Sequence, residues 1–287
     1  MNFHEELNNF CDSIINIKQK EEIAFLMLQG AREDSLIDLI MNYYYHNLDT
    51  IFLPKLTLSR STLDLVPPIQ NGKQFDAIIF KELNFDDTRK INLLKSPIEV
   101  FIEVKHNSLR EKISRYPSDY GPVQKNVLFK LGSSTELINE IQLRMKLLDE
   151  FMTRNIGIYD EIHALLFTSY YHHDIKELEN VVLQGRSKDK KYIKNWLKNT
   201  KPQDRSPFDW ICEMMADSME ISRKTKIDGE MVSFNWHPVK FQNSLGERTN
   251  FKLILDKFPL KLANQIFYVS LGLAHWKFTN KNSIEPI

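Results

Sequence analysis

The segment from Ile98 to His106 has the clearest alternation of hydrophobic and polar positions in the chain. As a β-strand it would direct aliphatic side chains to one face and polar or aromatic side chains to the other. The aliphatic face carries Ile98, Val100, Ile102 and Val104, and the other face carries Glu99, Phe101, Glu103 and Lys105. The pattern predicts a strand that packs on a core and presents Glu103 and Lys105 side by side.

Helical periodicity precedes this strand. Apolar residues spaced three and four apart predict helix over residues 3–29, ended by Gly30, and a further helix from Ala31 to about Tyr45. In the latter, Glu33 lies on the apolar stripe, whereas the other acids of the helix do not. A carboxylate there needs a partner or a metal to offset its desolvation. Alternatively, Glu33 lies at the edge of the stripe or pairs with a core arginine.

Two strand-like stretches separate this helix from Ile98, and a helix and a strand follow. Residues Thr50–Val66 are β-rich, and Phe75–Phe80 predicts a strand with Asp76 near its start. A capped helix is predicted from Glu136 to about Arg154, followed by a strand at Ile162–Thr168. The order helix, three strands, helix, strand predicts an α/β core whose last strand arrives by a crossover.

The C-terminal part is predicted to be mainly helical. Its patterns indicate a helix around Pro207–Ile221, a strand at Met231–Trp236 and a last helix from Asp256 to His275. We therefore expect a core over residues 1–174 and a helix-rich C-terminal extension over residues 175–287, which could bind nucleic acid or mediate dimerisation.

Composition narrows the class of protein without naming a function. The chain has 287 residues, 42% hydrophobic and 26% charged, as expected for one large or two small globular domains. Its two cysteines, Cys11 and Cys212, form no motif, which argues against a disulfide framework or a zinc finger. No apolar run approaches the roughly 18 residues that span a bilayer. We expect a cytoplasmic protein with no membrane partner.

One segment of the chain is strongly basic although the whole chain is neutral. Between Arg186 and Arg205, eight basic residues stand against two acidic ones, although the formal net charge of the chain is zero. Lys188, Lys190, Lys191 and Lys194 are candidate nucleic-acid contacts, because lysines displace condensed counterions from phosphates. A solvated connector between two parts of the chain explains the same run equally well.

The acids on the predicted strands suggest phosphodiester hydrolysis. Such hydrolysis is accelerated by a metal that neutralises developing charge and lowers the pKa of the attacking water. Asp76 and Glu103, on adjacent strands, would supply the carboxylate ligands that Mg²⁺ prefers. Lys105 would orient or deprotonate the water, and Glu33 would bind a second metal or a coordinated water.

The same residues resemble the PD-(D/E)XK nuclease superfamily. The resemblance rests on Gln-Phe-Asp-Ala-Ile-Ile around Asp76, on Ile-Glu-Val-Lys ending at Lys105, and on the helical Arg-Glu pair ending at Glu33. It covers roughly residues 25–170. Phe75, where many members have proline, is the one plain departure. Similar patterns occur in uncharacterised bacterial nuclease-like proteins.

The resemblance implies a restriction-endonuclease-like fold, with a mixed β-sheet core flanked by helices. It also implies DNA cleavage that depends on Mg²⁺, for which Mn²⁺ could substitute, with Asp76 and Glu103 as metal ligands and Lys105 as the catalytic lysine. Restriction or anti-phage defence would be the setting, and a homodimer is the family's common arrangement. RNA remains open as a substrate.

Weaker candidates and a different function class stay open. Gln124 and Lys125 lie where related nucleases place substrate contacts, although a surface loop explains them as well. Glu-x-Lys spacing alone is common by chance in a chain this charged. The alternative is a non-catalytic nucleic-acid-binding or regulatory module with the same fold. An active site requires Glu33, Asp76, Glu103 and Lys105 to converge.

Overall fold

The computed structural model of the chain describes eleven stretches of sequence. They are residues 2–29, 33–48, 51–54, 76–89, 96, 98–110, 159–172, 223–227, 230–242, 248–249 and 251–280. Within them lie three helices followed by a set of strands, so the α/β class is confirmed at this level.

The three helices occupy the N-terminal part of the chain. They are α1 (Phe3–Ser13), α2 (Ile17–Leu28) and α3 (Glu33–Leu48). The helical prediction over residues 3–29 is confirmed except for a break at residues 14–16. The break has a local cause, because the Asn16 side chain accepts a hydrogen bond from the Gln19 amide at 2.8 Å and so begins a new helix.

Helix α3 buries the stripe that its sequence predicts. Its buried residues are Leu36, Ile37, Ile40 and Tyr44. These positions recur three and four apart, so they lie on one side of the helix. Glu33, the first residue of α3, lies on the same side of the helix as this buried stripe.

The structure describes ten strands. They are β1 (Ile51–Pro54), β2 (Ala77–Phe80), β3 (Ile98–Arg110), β4 (Tyr159–His172), β5 (Arg223–Ile227), β6 (Glu230–Pro238), β7 (Phe241–Gln242), β8 (Arg248–Thr249), β9 (Phe251–Leu262) and β10 (Gln265–Asn280). One mixed sheet has the order β1-β2-β3-β4-β10-β6-β5, with β9 also paired to β10, while β7 and β8 pair separately.

The first four strands follow the order expected from the sequence. β1, β2 and β3 pair antiparallel, and β4 then lies parallel to β3 with Val104 opposite Leu165. A parallel neighbour requires a crossover connection. The helix predicted in that connection, from Glu136 to about Arg154, lies outside the described residues.

The alternation along β3 is confirmed by burial. Ile98, Val100, Ile102 and Val104 are each at most 1% exposed. Three of them join the core between the helices and one face of the sheet, with members on neighbouring strands: Ala77, Ile79, Val100, Ile102, Val104, Leu165, Phe167, Val269, Leu271 and Leu273. The opposite face of β3 is also buried at Phe101.

The prediction of a last helix from Asp256 to His275 is wrong. This stretch forms most of the β9–β10 hairpin, in which Leu262 pairs with Gln265 across a two-residue turn. Pro259 lies inside the predicted helix, where its ring would clash with the preceding turn, and this signal favoured a strand. The described part of the predicted helix-rich extension, between residues 223 and 280, therefore contains strands and their connections and no helix.

Two predicted strands are confirmed, and other predictions lie outside the described residues. Ile162–Thr168 falls within β4 and Met231–Trp236 within β6. The helix around Pro207–Ile221 and the division at residue 175 lie in undescribed stretches and stay predictions. No helix in the described stretches is long and apolar enough to cross a membrane.

Candidate functional site

Asp76 lies against β3 beside Glu103. Its Oδ2 accepts a hydrogen bond from the backbone amide of Val104 at 2.8 Å. Ala77 pairs with Ile102, so one further step of the antiparallel register sets Asp76 opposite Glu103. Residues directly opposite in such a pair have Cβ atoms roughly 4.5–5.5 Å apart. The two predicted metal ligands are therefore neighbours.

Glu33 reaches the same segment of β3 from helix α3. Its Oε2 accepts from the Lys105 ammonium at 3.0 Å, and its Oε1 accepts from the His106 amide at 3.3 Å. The Lys105 and Glu33 side chains are 21% and 32% exposed, so the ion pair is partly shielded from water. The partner that Glu33 needs is thus Lys105 and not a core arginine.

The position of Glu33 is favourable for a carboxylate. It is the first residue of α3, where the unpaired amides and the helix dipole stabilise negative charge by about 0.3–1 kcal/mol. The apolar stripe of α3 packs on the core and brings this end of the helix to β3. One acid is therefore held jointly by a helix terminus, a lysine and a strand amide.

His106 adds a contact that the sequence analysis missed. Its Nε2 lies 2.8 Å from the hydroxyl oxygen of Ser169 on β4, and Ser169 is fully buried. This hydrogen bond joins β3 to β4 through side chains, while the amide of His106 binds Glu33. The alternation along β3 places His106 after Val104 on the core face. This position was the signal in the sequence that His106 could contact a buried partner.

Glu103 is the most buried acid of the group. It is 2% exposed, while Glu99, four residues earlier on the same face, is only half-buried. Isolated ionised carboxylates are rarely buried to this extent, because desolvation of the charge is costly. The contrast favours Glu103 over Glu99 as a candidate metal ligand.

The contacts of Glu33 and Asp76 fall on three consecutive residues of β3, Val104, Lys105 and His106. Asp76 binds the amide of Val104, and Glu33 binds Lys105 and His106, so both acids flank Glu103 and Lys105. The four residues singled out from the sequence are brought together from the first residue of α3, the residue before β2 and the middle of β3.

This group offers oxygen donors and one ammonium. Paired carboxylates on neighbouring strands suit Mg²⁺, which commonly takes one or two protein carboxylates and completes its shell with water and substrate oxygens. Asp76 and Glu103 fit that requirement. Within the described stretches, no group of three or more His, Cys, Asp and Glu side chains is arranged to hold a metal ion.

The predicted nucleic-acid contacts all fall in stretches that the structure does not describe. Gln124, Lys125, Lys188, Lys190, Lys191 and Lys194 all lie outside the described residues. Their roles stay predictions.

No family model, curated protein or solved structure matches this chain.

Proposed function

We propose that this chain is a metal-dependent nuclease with a restriction-endonuclease-like core, hydrolysing phosphodiester bonds in DNA. The observation that carries the proposal is the convergence of Glu33 and Asp76 on the segment of β3 that contains Glu103 and Lys105. Four residues separated by up to 72 positions meet at the middle of one strand. A chance Glu-x-Lys would not be accompanied by two further acids.

The arrangement of strands supports the same proposal. Helix α3 is followed by the antiparallel strands β1, β2 and β3 and then by the parallel strand β4. This order agrees with the restriction-endonuclease-like core that the sequence resembles. Asp76 immediately precedes β2, and Glu103 lies on the neighbouring strand β3, which supports the roles that the resemblance implies for them.

The proposed division of roles follows from the contacts. Asp76 and Glu103 would hold Mg²⁺, which when bound neutralises charge on the phosphate and lowers the pKa of a bound water. Lys105 would donate hydrogen bonds to the attacking water or to a phosphate oxygen. Both oxygens of Glu33 accept hydrogen bonds from β3, so we assign Glu33 to positioning Lys105.

A plasmid-cleavage assay tests the proposal. Purified protein is incubated with supercoiled plasmid in Mg²⁺, in Mn²⁺ and in EDTA, and the nicked and linear products are measured. We expect cleavage that requires the metal and falls at least about 100-fold in Asp76→Ala and Lys105→Ala. Glu99→Ala, on the same face of β3 and four residues from Glu103, is the matched control and should cleave normally.

The outcomes separate substrate and mechanism. Cleavage that persists unchanged in Asp76→Ala and Lys105→Ala would refute the assignment of the site. Parallel assays with single-stranded RNA decide whether the substrate is DNA or RNA. Gel filtration coupled to light scattering measures whether the active species is the homodimer expected from the resemblance.

A non-catalytic nucleic-acid-binding module is the second candidate. One observation favours it: the Lys105 ammonium already forms an ion pair with Glu33, an arrangement that also serves a purely structural site. This alternative predicts a shift of DNA in a native gel with no product in any metal. Binding that is equally strong in Lys105→Ala would further separate it from the nuclease.

A further inference from the structure

Three histidines and a glutamate form a continuous row of hydrogen bonds beneath α1. His163 Nε2 lies 2.8 Å from Glu161 Oε2, and His163 Nδ1 lies 2.6 Å from His275 Nε2. His275 Nδ1 in turn lies 3.1 Å from His4 Nδ1. This histidine row crosses from β4 through β10 into the first turn of α1.

Aromatic rings shield the histidine row from water. The Phe3 ring centroid lies 4.5 Å from that of His163 and 5.8 Å from that of His275. Phe241 packs on the His4 ring at 4.8 Å. His163 and His275 are each 1% exposed, whereas His4 is half-buried at the outer end.

The surroundings of the row disfavour added positive charge. Burial lowers the pKa of all three imidazoles, and that of His275 falls furthest below the usual range. Lys277 on β10 lowers the pKa of His163 and His275, and Lys252 on β9 lowers that of His4. Lys252 is itself held by Asp12 and Asn8 of α1.

Glu161 fixes the inner end of the row as a carboxylate. Burial acts to raise the pKa of Glu161, but hydrogen bonds from His163 and Lys277 outweigh it and hold the pKa at about 2. Because the carboxylate only accepts, His163 Nε2 must carry a proton. At the outer end, burial lowers the pKa of His4 more than the backbone of Lys240 raises it.

A count of ring protons shows how many added protons the row can accept. Its three hydrogen bonds run from Glu161 to His163, His275 and His4, and each requires one ring proton. Three neutral imidazoles carry one N–H each, which is enough for the three bonds. The remaining ring nitrogen, His4 Nε2, can take one added proton with all three bonds kept. A second added proton would place two N–H groups against each other in one N···N contact.

We propose that the histidine row is a pH-sensitive latch that holds α1 on the sheet. It accepts one proton with every hydrogen bond kept, and a second proton breaks a nitrogen–nitrogen contact and releases the helix. The proposal stands on the geometry of the row and does not depend on nuclease activity.

The direction of the pH dependence follows from linkage. The imidazoles bind protons more weakly when buried in the row than in the released state, where their pKa is about 6.5. The hold on α1 is therefore complete above about pH 6.5 and weakens as the pH falls below that value. Release would also reach α3, because Phe3 of α1 stacks on Tyr44 of α3 with ring centroids 6.0 Å apart.

Amide hydrogen exchange tests the latch. The protection of α1 amides, corrected for the intrinsic pH dependence of exchange, is measured from pH 7.5 to 5 beside that of β3 amides. We expect α1 protection to fall by up to about 100-fold per pH unit below pH 6.5, as two linked protons require, while β3 keeps its protection. His4→Gln should reduce the fall to about tenfold per unit.

Two further variants keep the test decisive. His46→Gln removes an exposed histidine of α3 outside the row and should retain the original slope. His163→Gln can still donate to Glu161 and should also reduce the slope. An unchanged slope in both His4→Gln and His163→Gln would overturn the latch, as would simultaneous loss of protection in α1 and β3.

Ring-nitrogen NMR tests the proton count separately. With ¹⁵N-labelled histidine, the protonation of each ring nitrogen is followed through the same pH range. We expect one proton to be taken up by the row while α1 amides remain protected, and protection to be lost with the second. Loss of α1 protection on the first proton would refute the capacity that we assign to the row.

Discussion

The ion pair between Glu33 and Lys105 provides a test of the site geometry that needs no substrate. Its atoms lie 3.0 Å apart, and the two side chains are 32% and 21% exposed. Fully exposed pairs contribute about 0.2–1 kcal/mol, whereas hydrogen bonds to charged groups with partial burial contribute about 1.5–3 kcal/mol. We therefore expect a coupling free energy of about 1.5 kcal/mol.

A double-mutant cycle measures this coupling. Glu33→Gln, Lys105→Met and the double variant are unfolded in urea, and their free energies of unfolding are compared with that of the parent. With a urea slope of about 3 kcal/mol/M, the coupling corresponds to a midpoint difference of about 0.5 M. High salt should reduce it only partly, because the pair is shielded from the solvent.

A second ion pair in the same chain is the control. Lys18 and Glu22 of α2 lie 4.0 Å apart with side chains 87% and 64% exposed. The equivalent cycle there should give a coupling too small to resolve. A coupling at Glu33 and Lys105 below about 0.3 kcal/mol, or no larger than that of the control pair, would refute the described contact.

Three further predictions follow from burial and backbone geometry. Phe3→Ala should destabilise the protein by about 3–5 kcal/mol in chemical unfolding, because Phe3 is fully buried, while Phe85→Ala, 61% exposed, should change it by less than about 0.5 kcal/mol. Ala263→Gly should raise the free energy of unfolding by about 0.5–1 kcal/mol, because Ala263 has a φ of 51° in the β9–β10 turn; a loss of stability would contradict this. Burial raises the pKa of Cys11 to about 12, so mass spectrometry should find Cys11 unmodified by a thiol reagent at pH 8 until denaturant is added.

The parts of the fold that were predictable are those with one exposed and one buried side. In α3, Asp38 and Asn42 are exposed and lie between the positions of the buried stripe, so the helical period can be recognised in the sequence. In β3 the strict alternation of Val100, Ile102 and Val104 with other residue types gave the strand and its faces. Local patterning in these elements agrees with the tertiary structure.

The same reasoning predicted the C-terminal hairpin wrongly, and the cause is physical. Residues Leu271–Trp276 of β10 are buried on both faces of the sheet, so no period of two remains to be seen. The turn contains Ala263 where glycine is usual, so the strongest hairpin signal is missing as well. Apolar spacings in this stretch then fit a helix by coincidence, and the interior Pro259 was the evidence against it.

The candidate site was predictable in its members and not in their contacts. Sequence order and chemistry were enough to select Asp76, Glu103 and Lys105. Nothing in the sequence indicated that Glu33 would bind Lys105 and the adjacent amide, because that contact depends on how α3 packs on the sheet. The histidine row was invisible for a related reason, since His4 and His275 lie 271 residues apart.

The pairing of β4 with β10 has a consequence for how the chain is synthesised. Residues 162–172 of β4 are complete more than 90 residues before their partners at 268–278, and that side of β4 has no other strand. While the ribosome adds the intervening residues, the nascent chain presents the edge of a strand whose residues 162–169 are all buried in the finished protein. Such edges invite pairing with other chains. We expect translation products that end before residue 265 to aggregate or to require a chaperone, whereas those that include β10 should fold without one.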